Sequence, residues 1–291
     1  MDVAFNVVLQ GILLGGIYGM IAMGLSLIFG VARIVNFSHG AILCLAMYLT
    51  YSFSQLWSLD PYFSLLIVPV LTFILGYIIQ RWFINPVSER EKDPTLPVIL
   101  LTTGIMLFLE NLMLFIYGAN YLTLESFFSG KAILIGHDKI PTLRLVVFVF
   151  ATLLLYGITK FLQKTDLGRA IRAVSQKPQN AYLMGIDVKK VLCIAFGLGA
   201  AITGVAGVLI LPLYYVHPTV GYVFLTKSFV IVVLGGLGSV PGAFLGGILI
   251  GLAETLASQF FSVVAAEALV LLLFVAALVI RPAGLLGRER Q

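Results

Sequence analysis

Two short polar stretches interrupt apolar sequence and carry the residue types that could do chemistry. The first is Asn36-Phe37-Ser38-His39-Gly40; the second runs from Gly235 and Gly236 through Gly238 and Ser239 to Pro241 and Gly242. Asn and Ser compete for backbone hydrogen bonds, and Gly lifts the steric limit, so both stretches read as helix breaks. A broken helix frees N–H and C=O groups that lipid cannot satisfy. A water-filled path can satisfy them, and so can a zwitterion, with amides facing its carboxylate and carbonyls its ammonium. Asn36, Ser38, Gly238 and Ser239 are the stronger candidates for such a path; Phe37, His39, Gly40, Gly235 and Gly236 complete it. The other reading of the same residues is a pair of tight turns at a membrane face, with His39 a structural residue.

Ionisable residues within apolar runs are costly and are functional candidates. Glu110 (beside Asn111) and Lys227 lie deep and have opposite signs, so a pair between them is one reading; Glu254 and Glu267 are expected near the outer interface. Cys44 and Cys193 lie in apolar runs and read as small core residues. His, Cys and carboxylates show no zinc spacing and no catalytic triad. Three motif matches fail: the glycosylation pattern at Asn36 lies between apolar spans, "GYVFLTKS" lacks a phosphate loop's second glycine, and "GGLGS" has no βαβ context. With no Walker-type motif, any ATP must be bound by another chain, and no cofactor is expected.

The elements holding these residues are membrane helices. The 291 residues are 60% hydrophobic and 11% charged, with a mean hydropathy of +1.07. Soluble domains carry about 25% charged residues, so lipid must solvate this chain. Apolar runs of roughly 20 residues recur, each able to cross a hydrocarbon core of about 30 Å. They fall near 5–30, 40–57, 62–83, 96–118, 143–163, 189–211, 221–236, 241–258 and 263–280. The expected fold is an all-α polytopic bundle of eight to ten spans in one domain, residues 1–291. Asp2 precedes the first run with no Lys or Arg, so that run is expected to stay as a helix rather than be cleaved.

Of eighteen Lys and Arg residues, fourteen sort to one side, among them Arg33, Arg81, Lys92, Arg169 and Arg288; Lys131, Lys139 and Arg144 sort to the other, and Lys227 lies within a span. The positive-inside rule makes the richer side cytoplasmic, with the N-terminus outside and the C-terminus inside. This count places both breaks near the cytoplasmic face. The outer loop, about 119–142, is expected to hold a short hairpin around Gly136–Asp138.

The inner loop, about 164–188, reads as two short helices joined around Gln176–Lys177. Thr165 or Asp166 caps the first, Leu167, Ala170, Ile171 and Val174 follow at helical spacing, Pro178 starts the second, and Gly185 ends it. Such a loop is either a linker held to headgroups or a docking element for a partner. The pattern Gly-Ala-x-Leu recurs at 40–43 and 242–245, inside the two interrupted segments. Interrupted segments in both halves point to an internal repeat around a central substrate site.

"GIYGMIAMGLSLIFGVARIVNFSHGA", "TDLGRAIRAVSQKPQNAYLMGID" and "VVLGGLGSVPGAFLGG", in that order, resemble the shorter of the two permease subunits of branched-chain amino-acid ABC importers. The resemblance covers nearly the whole chain. It implies a non-enzymatic transport subunit in a bacterial or archaeal cytoplasmic membrane. Its partners would be a second permease, two cytoplasmic ATP-binding subunits and an extracytoplasmic substrate-binding protein, with no role for nucleic acid. The inner loop would be the coupling element, with Asp166, Gly168, Arg169, Arg172, Ala173 and Gly185 its expected residues. Urea, short amides or other amino acids are the alternative cargo, and an ion-coupled secondary transporter is the alternative class.

Overall fold

A computed structural model describes residues 2–135, 138–280 and 284. Its helices are α1 (Asp2–Ala32), α2 (Ser38–Trp57), α3 (Val68–Ile78), α4 (Asn85–Arg90), α5 (Thr95–Tyr117), α6 (Thr142–Lys164), α7 (Asp166–Gln176), α8 (Pro178–Leu183), α9 (Val188–Ile210), α10 (Val220–Gly235), α11 (Val240–Phe260) and α12 (Val263–Ile280). A 3-10 turn (Pro61–Leu66) precedes α3, and a π turn (Ile79–Ile84) joins α3 to α4. Among the described residues six stretches are long and apolar enough to cross a membrane: 5–32, 68–90, 95–117, 142–164, 188–210 and 240–260. α2 is not one of them, and α10 is shorter.

Small residues set the packing. α1 lies at the centre because glycines recur on it at four-residue spacing, which lets another backbone approach closely. A Cβ on Gly11 would meet Leu252 Cα at 2.9 Å, and one on Gly19 would meet the Phe244 carbonyl at 2.9 Å. Between them Gly15 faces Gly247 and Ile248, so α1 and α11 run antiparallel in near backbone contact. On another side Gly24 of α1 meets Gly199 and Thr203 of α9. Gly76 of α3 rests on Ala200, and Gly204 of α9 on Thr72, which brings α3 against α9. The core follows these seams: Met20, Ile21, Met23, Leu25 and Phe196 are fully enclosed.

One end of the bundle carries the short helices α7 and α8. The other carries an antiparallel hairpin, β1 (Ala132–Ile135) with β2 (Asp138–Pro141), paired Ala132 to Pro141 and Ile135 to Asp138. This is the hairpin expected in the 119–142 loop; Gly136 and His137 at its turn lie outside the described residues. Leu122 bridges Val216, tying that loop to the α9–α10 connection. Asp60 accepts from the Phe127 and Tyr62 amides, anchoring the loop to the α2–α3 connection. Cys44 and Cys193 are buried and unpaired, as their apolar surroundings suggest.

Candidate functional site

The first break is deeper than a turn at the membrane face. α1 ends at Ala32, and Arg33 takes a left-handed conformation (φ 54) that reverses the chain. Residues 33–37 then run back along α1. His39 Nε2 reaches the Ile21 carbonyl at 3.2 Å, eleven residues before the end of α1. At 1.5 Å per residue that is about 16 Å into the bundle. The placement of this break near the face is therefore corrected: the extended 33–37 segment carries the start of α2 inward. Asn36, Ser38 and His39 are fully buried there.

Their polar atoms are nearly all satisfied. Asn36 Oδ1 accepts from the Ser38 amide (3.1 Å) and hydroxyl (2.6 Å), closing an Asx turn at the entry to α2. The Phe37 amide donates to Thr102 Oγ1 of α5 at 3.3 Å. A carbonyl only accepts, so His39 donates from Nε2 to Ile21. Its Nδ1 lies 3.3 Å from Thr203 Oγ1, whose single proton is shared with the Gly199 carbonyl 2.9 Å away. Asn36 Nδ2 is the exception: it is buried and has no partner among the described residues. An unpaired buried amide donor costs about 1–3 kcal/mol, and the positive end of α2 stands beside it.

The second break stays near the α7 end. Gly236 (φ 105) and Gly238 (φ 85) take conformations that strain any other residue. A Cβ on Gly238 would meet Gly30 Cα at 2.7 Å, two residues from the end of α1. Ser239 caps α11, its Oγ accepting from the Gly242 amide at 3.1 Å. The two breaks do not form one cluster; α10 joins them. Gly40 and Gly242 are each the third residue of their helices, and each packs on α10, Gly40 against Gly221 and Gly242 against Gly235. Phe37 also packs at a tilt against Phe229 of α10, centroids 5.6 Å apart.

The Glu110–Lys227 pair does not form. Lys227 of α10 turns instead to α11, where its Nζ lies 2.8 and 3.0 Å from the two Glu254 carboxylate oxygens. It also donates to the Tyr18 hydroxyl (2.9 Å) and lies 3.4 Å from Glu267 of α12. The reason is helix adjacency: α10 packs antiparallel on α11, while α5, which carries Glu110, packs on α2. Glu254 and Glu267 are thus partners in one cluster tying α1, α10, α11 and α12. Sequence reasoning had the charges but not the pairing, which no local spacing encodes.

At the α7 end the inner loop folds as its spacing suggests. Thr165 caps α7, its Oγ1 accepting from the Gly168 amide at 3.0 Å, and Pro178 opens α8. Gly185 follows α8 with φ 79. Gly168 is buried against α6, where a Cβ would meet Leu162 Cα at 2.6 Å and press on the Phe161 carbonyl. Ile171 and Val174 seal the same face, and Ala173 is half-buried. Asp166 and Arg169 form an exposed ion pair with each other, and Arg172 points to solvent. Two features had no sequence signal. Arg33 donates from Nη2 to the Ser175 (3.0 Å) and Gln176 (3.1 Å) carbonyls, at the negative end of α7. Beyond α7, Tyr182, Leu183 and Met184 stand 72%, 82% and 83% exposed, an apolar knob with no partner among the described residues.

These features define a class: a multi-pass helical membrane protein with one helix break inside the bundle, a second near its face, and an amphipathic loop tied to the first. Residues 7–280 match the family described as branched-chain amino acid transport system, permease component, and the chain belongs to that family. It is 30% identical to the high-affinity branched-chain amino acid transport system permease protein LivH of Escherichia coli (strain K12), covering 96% of this chain and 94% of that one. It is 28% identical to the corresponding permease protein BraD of Pseudomonas aeruginosa over the same shares. To the probable branched-chain amino acid transport permease protein LivM of Methanocaldococcus jannaschii it is 26% identical, over 84% of this chain and 68% of that one. No solved structure matches it. The family is one of transport permeases, not enzymes.

Proposed function

We propose that this chain is one of two unlike permease subunits of an ATP-driven importer for branched-chain amino acids. It forms one transmembrane domain of nine spans, with the α7 end cytoplasmic and the N-terminus outside. Its partners are a second permease, two ATP-binding subunits and an extracytoplasmic binding protein. The family membership and the names of the relatives support the cargo. The excess of Lys and Arg at the α7 end supports the orientation.

The observation that carries the mechanism is Arg33, whose side chain holds the end of α7 while its backbone starts the first break. In this reading the Tyr182–Met184 knob seats in an ATP-binding subunit. Movement of that subunit shifts α7 through its Gly168 contact with α6. Arg33 passes the shift to residues 34–37, and Asn36 Nδ2 then meets the cargo carboxylate when the path opens. The Leu, Ile, Val and Phe around the breaks accept its aliphatic side chain. Affinity capture from mild detergent, followed by proteoliposome uptake of leucine, isoleucine and valine, tests this. Co-purification of an ATPase and a second permease, with uptake that requires ATP, is expected. A homo-oligomer that transports under an ion gradient alone overturns it.

A further inference from the structure

A cleft of about 610 Å³ lies at the α7 end, between the α3–α4 bend on one side and the start of α9 on the other. Its cause is in the backbone. In the π turn the Asn85 amide bonds back to the Gln80 carbonyl, and Pro86 supplies no N–H, so the helix is loosened where it would otherwise close on α9. Asn85 Nδ2 reaches Cys193 Sγ at 3.4 Å and holds the cleft floor to α9.

Four cations and two carboxylates line it. Lys189 is neutralised by Glu89 at 2.7 Å, and Asp187 caps α9 by accepting from the Lys190 amide. Among the described residues Arg90 and Lys190 have no ion-pair partner, and Arg81 donates only to the Tyr77 hydroxyl, at 3.2 Å. The surplus is positive and selects an anion. The neighbouring surface says which kind. Tyr77, Ile74 and Val70 precede Arg81 by four, seven and eleven residues, so they continue its helix face. Ile74 and Val70 are exposed, forming an apolar strip that leads from the cleft toward the middle of the span. Trp82, also exposed, sits at the level where aromatic residues mark the membrane interface.

We propose that this cleft binds the anionic headgroup of a phospholipid, with an acyl chain along the Tyr77–Val70 strip. Basic pockets between membrane helices suit such headgroups. A free phosphate would use the cations and leave the strip unused. The test is native mass spectrometry of the protein released from nanodiscs of mixed phosphatidylglycerol and phosphatidylethanolamine. Wild type is expected to retain one phosphatidylglycerol in preference to phosphatidylethanolamine. Arg81→Gln and Lys190→Gln are each expected to cut that retention about fivefold, and Arg81→Lys to restore most of it. Lys160→Gln, a cation over the Tyr156 ring outside the cleft, is expected to change nothing. Lys190→Gln alters only an exposed side chain, so it reports even if an Arg81 variant folds poorly. Equal retention by wild type and both glutamine variants overturns the proposal. So does displacement of the lipid by millimolar inorganic phosphate, which would mark a free-anion site.

Discussion

Replacing Arg33 with glycine separates coupling from folding. The native φ of 54 is one glycine adopts freely and arginine adopts at a cost of roughly 1 kcal/mol. Arg33→Gly therefore keeps the reversal after α1 and removes only the guanidinium. What is lost is two hydrogen bonds, at 3.0 and 3.1 Å, to carbonyls ending α7. Bonds to a charged donor contribute about 1.5–3 kcal/mol each, but this site is solvent-exposed, and competition with water reduces the pair to about 1–2 kcal/mol together. That is a factor of roughly 5–30 in the population with α7 held to the break. The assay measures leucine uptake and ATP hydrolysis in the same proteoliposomes carrying the full importer. Uptake per ATP is expected to fall severalfold, while hydrolysis and the thermal midpoint in detergent stay near wild type. Arg33→Lys, which keeps the charge but not the fork, is expected to fall between. Uptake per ATP unchanged in Arg33→Gly would falsify the link between α7 and the break.

Four further outcomes are expected. Gly168→Leu should uncouple transport while the permease still folds, because its side chain must push α7 from Leu162 and Phe161; a wild-type uptake rate would refute this. Leu183→Asp with Met184→Asp should abolish co-purification of the ATP-binding subunit and leave the second permease bound, as read by mass spectrometry of captured complexes. Lys227→Met should lower stability by about 3 kcal/mol by stranding Glu254, and Lys227→Met with Glu254→Met should recover most of it; equal thermal midpoints for the single and double variants would contradict the buried pairing. Gly15→Leu should prevent accumulation of folded protein, since α11 backbone occupies the space, and normal yield with a monodisperse elution profile would count against that seam.

Local chemistry made much of this legible in advance. The α7–α8 loop was readable because its signals are contiguous: Thr165 before the helix, a four-residue apolar rhythm, Pro178, then Gly185. The breaks were readable as breaks because Asn36, Ser38, Gly238 and Ser239 defeat helix locally. Their depth was not readable. Whether residues 33–37 turn at the face or climb back along α1 depends on Ile21 and Thr203, which lie 18 and 164 residues from His39. The partner of Lys227 was hidden for the same reason: Glu110, Glu254 and Glu267 all lie in apolar runs, and only the α10–α11 seam, set by Gly235 and Gly242, brings Glu254 to it. Eight of the nine apolar runs match single helices with boundary shifts of a few residues, while 62–83 divides into a 3-10 turn, α3 and a π turn; among the described residues six stretches are long and apolar enough to cross a membrane.

The buried start of α2 bears on how the protein is made. α2 is not among the helices apolar and long enough to enter lipid unaided; Ser38 and His39 open it at its inner end, and Asn36 lies just ahead. A chain emerging residue by residue has α1 available to receive His39, but Thr203 is synthesised 164 residues later. Until then the Nδ1 face of that imidazole must be held by water or by the insertion machinery. The second segment therefore takes its final place only after α9 arrives, so biogenesis is expected to pass through a hydrated intermediate. Truncated nascent chains ending before residue 188 should leave positions 36–40 open to aqueous thiol reagents, once cysteines are placed there, and full-length chains should close them.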